Sequence, residues 1–116
     1  MAHPSPVSVP SSEPISTGDL YRTTSDELVA LERKQGAAAA LAELGTRIAD
    51  DPRVAGICHA IAHDLGHEAI AESGGNASKA LRSRDDVCGG GFTHGVIEVA
   101  LGSSKHPARD LLTICA

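Results

Sequence analysis

Two aromatic side chains, Tyr21 and Phe92, are all that this 116-residue chain can bring to a core, and tryptophan is absent. Aromatic residues dominate the buried area of most small interiors. This interior must therefore rest on Leu, Ile, Val and Ala. Hydrophobic residues make up 41% of the chain, but much of that share is alanine. The length has room for one domain, small enough that a further staple, a metal or a disulfide, is an expected part of its stability.

The hydrophobic spacing is helical. Residues 1–18 hold Pro4, Pro6, Pro10 and Pro14 among serines, the composition of an extended, solvated and disordered arm. Residues 19–116 read as a single helical domain. Ser25 or Thr24 is placed to cap a first helix carrying Leu28 and Leu31, which Gly36 breaks or bends. Ala37–Asp50 continues with Leu41, Leu44 and Ile48 at helical spacing. Asp51-Pro52 then pairs a capping carboxylate with a proline suited to the first helical position. The helix that follows is expected from Pro52 to about Ser73, stopped by Gly74-Gly75. A short helix near Ser78–Arg82, another over Phe92–Leu101 and a last one opened by Pro107 complete an all-α bundle. No alternation strong enough for a sheet is present.

Charge narrows the partners. The net charge is −5, and the densest basic patch, Lys79 to Arg84, runs straight into Asp85 and Asp86. Nucleic-acid binding through phosphate neutralisation is not expected. No apolar run reaches membrane-spanning length, and the first residues lack a signal-peptide hydrophobic segment. Localisation is open, with the cytoplasm as the default. The thin Ala/Leu helices leave room for a second copy to cover an apolar face, so a homo-oligomer stays open as well.

The chemistry gathers on the central helix. Val54, Ile57, Ile61 and Leu65 form its core stripe, with Cys58 at the margin. His59, His63 and His67 follow one another at i+4 on roughly the opposite side, where Gly56 and Gly66 keep the surface low. Imidazoles one turn apart can point at a common ion. A second half-site follows, where Cys88 precedes Gly89-Gly90-Gly91, and His94 and Glu98 stand one turn apart beyond them. Imidazole, thiolate and carboxylate are the ligands that zinc or iron uses. The economical arrangement brings the His63/His67 face against Cys88, His94 and Glu98 with a metal between them. His59 is the next candidate ligand, since a stripe that drifts about 40° per step gives one ion only two of its three imidazoles. Asp64 and Glu98 are then the carboxylates placed to accept a proton from an ion-bound water, the chemistry of metal-assisted hydrolysis of a small-molecule substrate. The other reading is a non-catalytic structural or interaction module, stabilised by a Cys/His metal site or by a Cys58–Cys88 disulfide. Cys115 makes the cysteines an odd set of three.

Three resemblances attach to these motifs. Ala62-His63-Asp64-Leu65-Gly66-His67 resembles the AHDLGH segment of HD-domain phosphohydrolases, which implies a metal-binding role for His63 and Asp64; Asp110 is the one candidate for that family's late aspartate. His63-Asp64-Leu65-Gly66-His67 is similar to the zincin H-E-x-x-H helix with Asp in place of Glu, which implies two histidine ligands and an acid acting as base. Cys58-His59-x3-His63-x2-Gly66, followed by Cys88-Gly-Gly-Gly-Phe92-x-His94-Gly95, resembles a group of Cys/His-motif proteins with no established activity. Members of that group continue into further Cys/His motifs, which implies a truncated chain or a short divergent member.

Overall fold

The computed structural model describes residues 15–115, so the expected arm lies almost wholly outside the described residues. The fold within them is all-α. Helix α1 spans Thr17–Gln35, α2 Ala37–Asp50, α3 Pro52–Ala55, α4 Cys58–Glu72, α5 Ala77–Ala80, α6 Val87–Gly102 and α7 Pro107–Cys115, with a 3-10 turn at Leu81–Ser83 after α5. There is no strand among the described residues.

Local chemistry accounts for most boundaries. Ser16 caps α1 by accepting from the Asp19 amide at 3.1 Å, which corrects the expected cap at Thr24 or Ser25. Those two are buried in mid-helix, where the Ser25 hydroxyl serves a tertiary contact to Asp64 instead. Gly36 (φ 96°) separates α1 from α2, and Asp51 caps α3 through the Arg53 amide at 3.0 Å. The single helix expected from Pro52 to Ser73 is broken. At Gly56 and Ile57 the backbone tightens into three-residue hydrogen bonds, Gly56 to Arg53 and Ile57 to Val54, and α4 starts afresh at Cys58. The break lets Val54 and Ile61 both reach the core.

Helix α4 lies at the centre, against α1, α2, α5 and α6. Leu28, Leu44, Ile61, Leu65, Phe92 and Val96 are fully buried around it. Phe92 supplies the bulk that the rest of the core lacks. Arg33 of α1 forks onto Glu68 of α4 at 3.0 and 3.1 Å, and Arg47 of α2 bonds Glu27 of α1 at 2.8 Å.

The closest packing joins α4 to α6, and glycine permits it. A Cβ on Gly66 would collide with the Phe92 carbonyl, one on Gly95 with the His63 carbonyl, and one on Gly91 would sit 2.6 Å from the His59 carbonyl. Backbone therefore meets backbone along this seam. Ahead of the seam, Cys88, Gly89 and Gly90 take left-handed conformations (φ 57°, 67° and 75°), so α6 begins with a left-handed turn before its right-handed run. Cys88 is the one non-glycine with positive φ among the described residues.

Candidate metal centre

The seam decides what faces what. Because α4 and α6 touch through glycines, the side chains just beside the contact are forced together. On α4 these are His59, His63 and His67; on α6 they are His94 and Glu98. Ring centres lie 4.9 Å apart for His59 and His63, 5.3 Å for His59 and His94, 5.9 Å for His63 and His94, and 6.0 Å for His63 and His67. In two sets of three, one ligand atom from each residue lies within 4.8 Å of the others: His59, His63 and His94, and His63, His67 and Glu98. His63 belongs to both.

Hydrogen bonds orient the rings. His59 Nδ1 meets the Cys88 carbonyl oxygen at 2.6 Å, which leaves its Nε2 as the free nitrogen. His67 Nε2 meets Glu98 Oε1 at 2.7 Å, and His63 Nδ1 is 3.4 Å from the same oxygen. The His67 hydrogen bond, with His63 adding to it, holds the Glu98 carboxyl below its ordinary range. The patch is open to solvent: the side chains of His63, His67 and Glu98 are 27%, 42% and 60% exposed.

Five of the expected residues are thus brought together: His59, His63, His67, His94 and Glu98. Cys88 stands apart from them. Its sulfur is bonded to Cys58 across α4 and α6, so the expected thiolate ligand is replaced by a disulfide, the pairing that the sequence left open. Cys88 still serves the patch, through its carbonyl rather than its sulfur.

Asp64 sits elsewhere on α4. Its Oδ2 accepts the Tyr21 hydroxyl and, at 2.7 Å, the Ser25 hydroxyl, and it joins neither donor set. That bond to Asp64, with burial and the carboxylate's charge, pushes the Tyr21 hydroxyl up to about 12. Tyr21 and Ser25 were not legible as partners of Asp64, since only the docking of α1 on α4 brings them there. Asp110 accepts from Ser104 at 2.5 Å.

A groove of about 680 Å³ runs over the patch, with Tyr21, Ile57 and Ala60 beside the histidines and with Asp64 and Glu98 as its carboxylates. No lysine or arginine lines it. A separate cavity of about 420 Å³ shares His67 and is walled by Ile70, Val99, Ala100 and Ile114. No helix of the described residues is long and apolar enough to cross a membrane. Compared with protein-family models, with curated proteins and with solved structures, the chain matches none.

Proposed function

We propose that this chain is a binding domain for a divalent transition-metal ion, carried on the histidine face between α4 and α6. One observation supports the reading above the rest: a glycine seam presses two helices together so that four imidazoles and a carboxylate, distant in sequence, offer donor atoms within 4.8 Å in two overlapping sets. Nitrogen-rich donors of this kind suit zinc or ferrous iron and not calcium or magnesium. The test is equilibrium dialysis of the chelator-stripped, oxidised chain against zinc and, without oxygen, ferrous iron. About one ion per chain is expected, with affinity reduced more than about 100-fold in His63→Ala, the residue common to both sets. An intact chain that retains no ion, or a variant that binds as tightly, would end the proposal.

The second reading is hydrolysis at that ion, and the exposure of the patch favours it. Three protein donors leave a position open, the arrangement in which a bound water becomes a nucleophile near neutral pH. Glu98 would act through the His63 ring beside it rather than on the water itself, and Asp64 is already held by Tyr21 and Ser25. A groove without lysine or arginine favours an uncharged ester or amide over the phosphoester that the HD-type segment implies. The cavity beside His67 offers room for the body of a small organic substrate. Zinc-loaded protein should cleave p-nitrophenyl acetate faster than free zinc does and leave p-nitrophenyl phosphate largely intact, with the ester rate lost in His63→Ala. Ester cleavage no faster than with zinc alone removes the hydrolytic reading.

A further inference from the structure

We infer that the ion is held by His59, His63 and His94, with Glu98 and the Cys88 carbonyl steadying two of those rings from behind and His67 outside the shell. This rests on the metal-binding reading and chooses between the two donor sets, which differ in chemistry. Three imidazoles with a water make a zinc-type site, whereas His63, His67 and Glu98 would form the two-histidine, one-carboxylate face that ferrous iron uses.

Ring spacing comes first. Zinc–nitrogen bonds of about 2.0–2.1 Å place the ring centres of imidazoles around a tetrahedral ion about 5 Å apart. His59, His63 and His94 stand at 4.9, 5.3 and 5.9 Å, so only the His63–His94 pair is clearly wider than that. The second argument is the far nitrogen of each ring. A ligating histidine characteristically donates its other N–H to a carbonyl or carboxylate, which fixes its tautomer and aim. His59 has that partner in the Cys88 carbonyl at 2.6 Å, and His63 Nδ1 has Glu98 within ion-pair range at 3.4 Å. His67 instead engages Glu98 through Nε2 at 2.7 Å, so that nitrogen is already taken.

The third argument concerns backbone. A residue with a side chain is strained in the left-handed region and persists there where the surroundings over-determine it. Cys88 is held that way by its bond to Cys58, and the result is a carbonyl aimed at His59. Gly89 has φ 67°, and a Cβ there would touch the same ring at 3.6 Å. The disulfide, the left-handed turn and the glycines thus converge on the orientation of one imidazole, which is otherwise half free on the surface.

Zinc affinity, measured by competition with a chromophoric chelator on the oxidised full chain, tests the assignment. His94→Ala and His63→Ala should each weaken binding more than about 100-fold, Glu98→Gln about 10-fold as expected for a supporting partner, and His67→Ala less than about 3-fold. Far-ultraviolet circular dichroism confirms the fold of each variant, and His94, being exposed, is the one least bound up with it. If His67→Ala and Glu98→Gln abolish binding while His94→Ala retains it, the carboxylate-containing set holds the ion and the assignment is wrong. Failure of the intact chain to bind zinc at all would instead overturn the metal-binding reading beneath it.

Discussion

Glu32 is 1% exposed, and neither of its carboxyl oxygens has a hydrogen-bond partner among the described residues. Burial first, then the charges of Glu72 and Glu68, push its carboxyl up to about 8. The sign follows directly. The folded chain keeps a proton that the unfolded chain releases near the ordinary value of 4.5, so this residue costs stability as pH rises from about 4.5 towards 8, and the loss levels off above that. Glu32→Gln, which cannot ionise, should flatten this slope. It should exceed the parent's unfolding free energy most at pH 8 and above, by an amount on the order of a few kcal/mol. Urea unfolding at pH 5, 7 and 8.5 measures this; parallel slopes for the two proteins would show that Glu32 is not the buried acid described. Nothing in the sequence singles out Glu32 from its exposed neighbours, because it lies among charged residues on an α1 face that parts of the chain distant in sequence, α4 and α5 among them, close over.

At the scale of elements, the contact between α4 and α6 makes the patch, and glycine makes the contact. Gly95→Ala must move two backbones apart, since its methyl meets the His63 carbonyl. A cost of about 1–3 kcal/mol is expected, together with at least a 10-fold loss of zinc affinity as the rings separate. Gly45→Ala is the control, because its added methyl meets nothing within 4 Å, and α2 should gain about 0.5–1 kcal/mol in place of losing it. Thermal unfolding and zinc titration of both variants read the contrast, and equal effects would remove the seam from the explanation. Much of this was legible. Three histidines at i+4 marked one imidazole face of α4, Gly66 the low bulk beside it, and the H-x3-E pair the opposing wall. The part that was not legible depends on where two distant helices cross: that Gly95 sits under His63, that Cys88 contributes a carbonyl, and that Asp64 turns towards α1. The break at Gly56-Ile57 was hidden for a related reason, since an apolar stripe running from Val54 to Leu65 reads as continuous whether or not the backbone tightens midway.

Over the whole molecule, stability and the proposed metal site rest on different parts. The core of Leu28, Leu44, Ile61, Leu65, Phe92 and Val96 is closed away from the patch, and the Cys58–Cys88 bond closes a loop with a sequence separation of 30. A loop of that length is worth about 3–4 kcal/mol through the entropy of the unfolded chain. Reduction should therefore lower the melting temperature clearly, while chelation should leave the helical signal in place and remove only the stabilisation that the bound ion itself supplies. Unfolding on chelation alone would mark the ion as a structural staple. Zinc-edge X-ray absorption on the oxidised, zinc-loaded chain tests the whole picture most directly. The expected shell is four nitrogen or oxygen atoms at about 2.0–2.1 Å, with imidazole scattering and no sulfur; a sulfur shell at about 2.3 Å, or six oxygens without imidazole, would contradict it.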